Sequence, residues 1–185
     1  CDPRLVADNW DGGSAKLDAC MELVTAAVEG GHRILLFSQF TSMLELLAKR
    51  LDEAGVSHFT LQGSTPKPVR AEQVRRFNQG EADVFLISLR AGGTGLNLTA
   101  ADIVIHYDPW WNLAAQNQAT DRAYRIGQRN PVQVYRLIAQ DTIEEKIVEL
   151  QQAKQSLADT VTGGADGAIL SMNPEQLLQL LGEEA

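Results

Sequence analysis

Short apolar runs alternate with amphipathic segments over most of the chain. The runs are typical of strands buried on both faces, and the segments are typical of helices that pack on such a sheet. The predicted strands are 33–38, 58–61, 84–88, 103–107 and 132–139, and the predicted helices are 14–30, 41–54, 69–77 and 113–125. Because strands that alternate with helices pair in parallel through right-handed crossovers, the pattern predicts a layered α/β domain with a central, mainly parallel sheet.

Residues at the predicted helix ends support these boundaries. Ser14 is the predicted N-cap of the first helix, which we expect to end at Gly30-Gly31. Thr41 is the predicted N-cap of the second helix, and Gly55 is its expected end.

The pattern changes after residue 140. A long amphipathic helix is predicted over 141–161, followed by a glycine-containing linker and a short helix over 173–181. We expect both helices to pack against the domain or against a neighbouring part of a larger protein. The predicted organisation is a tail or linker (1–13), an α/β lobe (14–140), a helix that braces it (141–162), and a linker with a short C-terminal helix (163–185).

Composition narrows the class of protein. Apolar residues make up 44% and charged residues 22% of the 185 residues, as in ordinary globular proteins. No apolar run approaches the ~18 residues of a membrane span, and the first residues lack the pattern of a signal peptide, so neither is expected. Cys1 and Cys20 are too few for a disulfide framework or a zinc cluster and suit a reducing compartment.

The net charge of the whole chain is misleading as a guide to whether the chain binds nucleic acid. The formal net charge of −8 argues against a nucleic-acid partner when it is averaged over the chain. Residues 60–136, however, contain nine Lys and Arg against six Asp and Glu, a local net charge of +3. The acidity belongs to the flanking regions, so a mildly basic middle segment remains compatible with binding to DNA.

Two features of a complete nucleotide hydrolase are missing from the sequence. It contains no G-x-x-x-x-G-K-[ST] loop, and no acidic pair follows an apolar strand to hold magnesium. A P-loop ATPase needs both, so we expect this chain not to hydrolyse nucleotides on its own. His32, His58 and His106 have no carboxylate or Cys at ligand spacing, so they are expected to be structural or surface residues, with no metal site.

A glycine-rich segment follows the third predicted strand. Gly92, Gly93 and Gly95 permit positive φ and a close approach of the backbone to a ligand. Polar donors surround them, namely Ser88, Arg90, Thr94 and Asn97. Such a loop can wrap a phosphate with its amide groups, or it can serve only as a tight turn, and spacing alone leaves both interpretations open.

A second segment carries two arginines at helical spacing. Arg122 and Arg125 are three residues apart, so on a helix both guanidinium groups project from one face, with Asp121 and Gln118 within reach to orient them. Two such groups near strand ends suit an anion with many oxygens, such as a triphosphate. The alternative is a solvated helix face with a local ion pair of little energetic weight.

Two adjacent tryptophans lie between these segments. Trp110 and Trp111 belong to the segment 108–112, which follows the fourth predicted strand. Large aromatic side chains are costly to expose in a loop. They therefore either seal the core or present an aromatic surface to a ligand or nucleic acid.

Five segments occur in an order that is specific to one family. They are ILLFSQF (34–40), LQGSTPKPVRAEQVRRFN (61–78), ISLRAGGTGLNLTAADIVIHYDPWWN (87–112), QATDRAYRIGQ (118–128) and PVQVYRLIAQDTIEEKI (131–147). The first, third and fourth resemble motifs IV, V and VI of the second, C-terminal RecA-like lobe of SWI/SNF-type helicase-like ATPases in helicase superfamily two. The second resembles the L-x-G-[ST]-x-x-x-x-R segment of that family, and the fifth resembles its continuation and bracing helix.

The resemblance covers about residues 14–162 and shows two departures. Leu113 stands where the family usually has proline, which bears on how the next helix begins. Arg90 stands where many members have lysine, so the charge is kept. The resemblance implies a three-layer RecA-like domain with C-terminal bracing helices.

The resemblance also implies roles for individual residues. Arg122 and Arg125 stand at the arginine-finger positions and would act on the γ-phosphate of ATP, which is bound with Mg²⁺ mainly by a first lobe. Gln118 would help to position them, and Gly95 and Asn97 stand at positions that approach the nucleotide. The positions implied to face DNA are Ser38, Gln39, Gly63, Ser64, Ser88, Arg90, Ala91, Gly92 and Trp111.

The implied function is that of the second motor lobe of an ATP-dependent double-stranded DNA translocase or remodeller. Its implied partners are the N-terminal RecA-like lobe of the same protein, the DNA backbone and a DNA-bound protein complex, with no membrane. One alternative is a non-catalytic interaction module derived from such a lobe, although the retained arginine pair argues against it. Another is an RNA-directed lobe, against which DRAYRIGQ and DPWWN argue. The lack of long charged insertions favours a prokaryotic, cytoplasmic and nucleoid-associated protein over a nuclear one.

Overall fold

The computed structural model describes residues 12–89, 91, 96–110, 112–121, 123 and 131–162. The helices in these ranges are α1 (Ala15–Glu29), α2 (Thr41–Glu53), α3 (Lys67–Asn78), α4 (Leu113–Thr120) and α5 (Ile143–Thr162). The strands are β1 (Ile34–Ser38), β2 (His58–Leu61), β3 (Val84–Ser88), β4 (Ile103–His106) and β5 (Gln133–Arg136). All four neighbouring pairs are parallel, and the strand order is β2-β3-β1-β4-β5.

The central strands bury side chains on both faces of the sheet. Alternate residues point to opposite faces, so Ile34 and Leu36 of β1 pack with α1 and α2. Leu35 and Phe37 of the same strand pack on the other face in a cluster with Phe77 of α3, Ala119 of α4, and Ala91, Leu96, Leu98 and Ala101. The predicted three-layer α/β fold with a parallel sheet is confirmed.

Helix ends agree with the sequence at three of the four predicted positions. Leu17 N donates to Ser14 Oγ at 3.4 Å, so Ser14 is the N-cap of α1. Gly31 and Gly55 adopt positive φ just after α1 and α2, as expected of helix-ending glycines. The prediction for Thr41 was wrong by one position. It is the first helical residue, because the preceding Phe40 keeps extended backbone angles and its carbonyl accepts the first helical hydrogen bond, from Leu44 N.

The carboxyl-terminal elements differ in extent from their predictions. β5 is shorter than predicted and forms an edge strand that pairs with β4. The predicted helix over 113–125 is described as far as Thr120, and the predicted helix over 173–181 lies outside the described residues. No helix in the described ranges is long and apolar enough to span a membrane. The chain divides into two compact units, residues 1–147 and 148–185, and all contacts discussed below lie in the first.

Candidate nucleotide and nucleic-acid interface

The carboxyl edge of the sheet brings together the ends of β1 and β3. Ser38 at the end of β1 lies opposite Ser88 at the end of β3, and both side chains are buried. Leu89 N donates to Ser38 O at 3.0 Å, so the segments that follow the two strands leave the sheet side by side. Parallel open sheets bind ligands at this edge, because the strand-following loops converge there.

A short exposed turn follows β2 at the same edge. Gln62 N donates to Thr65 Oγ1 at 3.0 Å, and Thr65 N donates to Gln62 O at 3.1 Å, which closes the turn. Gly63 and Ser64 lie at its tip and are exposed. The turn thus presents two small residues to solvent next to the start of α3.

A buried carboxylate holds the segment that follows β1. Asp108 accepts a hydrogen bond from Ser38 Oγ at 2.6 Å and another from Gln39 N at 2.9 Å. Burial raises the pKa of the Asp108 carboxyl, and these two hydrogen bonds oppose that rise. Gln39 also donates from Nε2 to Pro109 O at 3.4 Å. Asp108 therefore fixes the segments after β1 and β4 against each other and sets the position of Gln39.

A buried histidine ties β4 to the end of α4. His106 is 1% exposed, its ring stacks on Phe37, and its Nε2 lies 2.9 Å from Thr120 Oγ1. Burial and the charge of Arg136 lower the pKa of His106 to about 4, so the ring is neutral near neutral pH. Thr120 Oγ1 also lies 3.3 Å from Gln116 O, which can only accept. We therefore assign the proton to Nε2, with the ring donating to the Thr120 hydroxyl and the hydroxyl donating to Gln116.

Two side chains of α3 contact the ends of the glycine-rich segment. Arg70 Nη1 donates to Ala91 O at 3.3 Å, just before the glycines. Asn78 Nδ2 donates to Asn97 O at 2.8 Å, just after them. Ala91 is buried, whereas Asn97 is exposed. Both ends of the segment are thus attached to one helix.

Of the remaining predicted site residues, one lies within the described ranges. It is Gln118, which lies on α4 and is exposed. Trp110, for which no site role was predicted, is half-buried and donates from its backbone N to Gln116 Oε1 at 3.2 Å. The predicted site residues outside the described ranges are Arg90, Gly92, Gly95, Trp111, Arg122 and Arg125. The roles implied for all these residues stay predictions.

Comparison with known families decides the class of the protein. The chain matches the family of the helicase conserved C-terminal domain over residues 15–127. It belongs to that family. The matched range of this helicase C-terminal domain runs from α1 through the segment with the two predicted arginine fingers.

Individual relatives place the helicase C-terminal domain among SWI/SNF-type ATPases, as the motif order predicted. It is 42% identical over 170 residues to a putative ATP-dependent helicase/translocase, YwqA, of Bacillus subtilis, covering 91% of this chain and 18% of that protein. It is 41% identical over 169 residues to the human chromatin-remodeling ATPase INO80, covering 91% of this chain and 11% of that protein. The crystal structure of the C-terminal part of the Fun30 ATPase domain superposes with a TM-score of 0.71 at 37% identity, covering 74% of this chain and 45% of that one.

The extent of these matches limits what they establish. The chain spans less than a fifth of the length of the two curated relatives named above. The activity, substrates and partners of those whole proteins are therefore not properties of this chain by comparison alone. Bacterial and human relatives align about equally well, so the comparisons give no support to the expected prokaryotic source.

Several residues that organise the interface escaped the sequence analysis. Asp108 directly follows a buried strand, so its place at the carboxyl edge could have been predicted, but not its bonds to Ser38 and Gln39. Asn78 gave no signal, because an asparagine at a helix end is common and its partner lies 19 residues away. Arg70 lies in the segment 61–78, but that segment alone did not indicate a contact with Ala91.

Proposed function

We propose that this helicase C-terminal domain is the second motor lobe of an ATP-dependent double-stranded DNA translocase or remodeller of the SWI/SNF type. The observation that carries the proposal is the gathering of motif residues at one edge of the sheet. Ser38, Ser88 and the turn at Gly63-Ser64 come from three different segments and meet where parallel sheets bind ligands. The order of the motif segments and the named relatives support the same proposal.

The loops after β1, β2 and β3 would contact the DNA backbone. Gln39, whose position is set by Asp108, and the exposed Gly63-Ser64 turn are available to phosphates from the described part of the edge. Ala91 follows β3 at the same edge, next to Arg90 and Gly92 in the sequence, and Trp111 follows Trp110. Contacts to phosphates carry no base information, so sequence specificity would be weak and the affinity would depend strongly on salt.

The segment after α4 would act on the nucleotide. Arg122 follows Thr120 by two residues, so the hydrogen bond between the His106 and Thr120 side chains attaches the end of α4 to β4 shortly before the arginine pair. Arg122 and Arg125 would stabilise negative charge that develops on the transferred phosphoryl group, with Gln118 helping to orient them. ATP and Mg²⁺ would be held mainly by the first lobe, with Gly95 and Asn97 approaching the nucleotide from this one.

The proposed lobe would work as one half of a cleft. Closure of the two lobes would bring the arginines of this chain to the nucleotide, and reopening would release its grip on the DNA backbone. The duplex would then move past the edge of the sheet in small steps. The relatives named chromatin-remodeling ATPases suggest a DNA-bound protein complex as the object of that movement. A bacterial protein of this kind would lie with the nucleoid in the cytoplasm, and a eukaryotic one in the nucleus.

The test uses a two-lobe protein in which this chain follows an N-terminal RecA-like lobe. We expect Arg125→Ala to lower kcat by about 10³-fold or more, because an arginine finger contributes about 10³–10⁵ to the rate of phosphoryl transfer. Duplex affinity should stay unchanged, since the proposed contact is with the nucleotide. Arg50→Ala on α2, which removes partly exposed pairs with Asp18 and Glu53, is the matched control and should change neither quantity.

Three results would contradict the proposal. Equal losses of kcat and of DNA affinity would place Arg125 on the DNA rather than on the nucleotide. ATP turnover by this chain alone that survives Arg122→Ala would show that a first lobe is not needed. An unchanged kcat in Arg125→Ala would favour the non-catalytic interaction module instead.

A further inference from the structure

Helix α3 is attached to the sheet through Phe77 and Gln73. Phe77 is fully buried, and its ring centre lies 5.3 Å from that of Phe85 in β3. Gln73 Nε2 donates to Thr60 O of β2 at 3.3 Å, so α3 is also held against the edge strand. These contacts fix α3 to the sheet independently of the glycine-rich segment.

The amino-terminal half of α3 holds the entry to that segment. Arg70 Nη1 donates to Ala91 O at 3.3 Å. Ala91 is 5% exposed and packs in the same apolar cluster as Phe77. Packing already holds Ala91 in place. The hydrogen bond from the Arg70 guanidinium in addition fixes the direction of the Ala91 carbonyl group.

The carboxyl end of α3 holds the exit from the segment. Asn78 uses both ends of its amide: Nδ2 donates to Asn97 O at 2.8 Å, and Oδ1 accepts from Ala100 N at 3.3 Å. Only an amide of this length offers a donor and an acceptor in that orientation, since a carboxylate has no hydrogen to donate to a carbonyl. Leu96 and Leu98 on either side of Asn97 are buried, so the exit is fixed by packing and by hydrogen bonds together.

We propose that α3 is a clamp for Ala91 and Asn97, the described residues on either side of the glycines, with Arg70 and Asn78 as positioning residues. The two positioning residues lie about 12 Å apart along one rigid helix, as the rise of an α-helix over eight residues requires. Because Ala91 and Asn97 are already fixed in this way, they lose less conformational freedom when a ligand binds. The effect on the reaction rests on the proposed function, in which the Ala91 end faces DNA and the Asn97 end approaches the nucleotide.

The first test is independent of that function and uses this chain alone. Amide hydrogen exchange is measured for peptides that cover residues 89–98. We expect Asn78→Ala to speed exchange there by about tenfold, the size expected when two net hydrogen bonds are lost. Asn78→Asp, which keeps the acceptor and loses the donor, should also speed exchange at Asn97. The matched control is Gln73→Ala, which removes the contact of α3 with Thr60 and should leave exchange over 89–98 unchanged.

The second test uses the two-lobe protein. We expect Asn78→Ala to lower kcat/KM for ATP by about tenfold at unchanged duplex affinity, because the loosened end is the one beside the nucleotide. Arg70→Lys, which keeps the charge but not the planar fork, should weaken duplex binding more than it raises KM for ATP. Gln73→Ala should change neither, even where it lowers thermal stability as much as Asn78→Ala does.

The outcomes separate this inference from the proposed function. Unchanged exchange over 89–98 in Asn78→Ala would overturn the clamp. Faster exchange with unchanged kcat/KM, in a protein that Arg125→Ala inactivates, would overturn the positioning role. Faster exchange in a two-lobe protein that has no DNA-dependent turnover at all would leave the clamp standing and count against the proposed function.

Discussion

At the scale of single residues, buried polar groups organise the carboxyl edge. Asp108 and His106 are each 1% exposed, and each joins two elements by hydrogen bonds. A buried polar side chain costs free energy unless it is paired, so each of these residues constrains its partners as strongly as an apolar contact does. The edge of the sheet is therefore shaped by internal hydrogen bonds before any ligand arrives.

The first prediction concerns the titration of His106. Its pKa is lowered to about 4 in the fold, from an ordinary value of 6.5. Between these values the unfolded chain binds more protons than the folded one, so the stabilising contribution is present above the unfolded pKa and is lost as pH falls. A shift of this size corresponds to about 3 kcal/mol in the free energy of unfolding. His106→Gln should remove that part of the pH dependence.

The measurement is urea unfolding of the chain and of His106→Gln between about pH 7 and about pH 4, where a perturbed histidine titrates. The raised pKa of Asp108 acts in the opposite direction, because it adds stability as pH falls. It is common to both proteins, so the difference between the two stability curves isolates His106. Parallel curves would show that His106 is not held neutral by the fold.

At the scale of elements, a buried ion pair joins the first and last helices of the first unit. Lys16 in α1 contacts Glu144 in the first turn of α5, and their side chains are only 8% and 7% exposed. Burial acts to raise the pKa of Glu144, but the hydrogen bonds from Lys16 and from Ala139 N outweigh it and lower that pKa. Lys16 also lies 4.9 Å from the ring centre of Tyr107, at the end of the sheet that carries Asp108.

The second prediction is that this pair is stabilising only while both partners are present. Lys16→Met leaves a buried carboxylate without its cation and should lower the free energy of unfolding by about 3–5 kcal/mol. Adding Glu144→Leu should recover most of that loss, because two apolar side chains can replace a buried pair. Arg75→Ala, which breaks a half-exposed pair with Glu72, is the control and should cost less than about 1 kcal/mol.

Chemical denaturation of the unchanged chain, Lys16→Met, Glu144→Leu, the double variant and Arg75→Ala decides this prediction. Additive losses in the double variant would mean that Lys16 and Glu144 act independently, since coupling appears only as non-additivity. A loss in Lys16→Met no larger than that in Arg75→Ala would mean that solvent reaches the pair.

The elements themselves were largely predictable, and the contacts between them were not. Apolar runs such as 84–88 and glycines such as Gly55 carry local signals, because burial and positive φ restrict the residue type. The error at Thr41 arose because the N-cap of α2 lies one residue earlier than the Thr41 hydroxyl suggested, at Phe40, which has no side-chain cap hydrogen bond and so carries none of the usual capping signal. The pairing of Lys16 with Glu144 spans 128 residues and leaves no local pattern.

The candidate site follows the same division. Motif order predicts where the candidate site lies, because residues such as Ser38 and Ser88 stand at strand ends that parallel pairing brings together. The residues that hold it in shape were missed, because Asn78 and His106 act through hydrogen bonds to partners distant in sequence, which only the tertiary arrangement defines. Family resemblance therefore indicates the chemistry of such a site, but it does not indicate the hydrogen bonds that hold the site in shape.

At the scale of the whole molecule, the distribution of charge decides how the domain meets DNA. Three of the five described basic residues in 60–136 already form ion pairs or hydrogen bonds within the chain. Arg75 pairs with Glu72, Arg76 pairs with Glu81, and Arg70 donates to Ala91 O. The local charge of +3 therefore overstates what the described surface offers to phosphates. We expect this lobe alone to bind duplex weakly and to depend on a partner lobe for its grip.

The third prediction concerns the salt dependence of duplex affinity, which tests whether Arg90 contacts a phosphate. In the two-lobe protein, the logarithm of duplex affinity should fall with the logarithm of salt concentration, with a slope of about −0.9 for each phosphate contacted. Arg90→Ala should weaken binding and reduce the size of the slope by about one, because one phosphate contact is lost. Arg76→Ala, which removes a charge already paired with Glu81 at 2.7 Å, is the control and should leave the slope unchanged. A flat salt profile would exclude phosphate contacts as the basis of binding, and equal changes in both variants would assign the slope to overall charge rather than to Arg90.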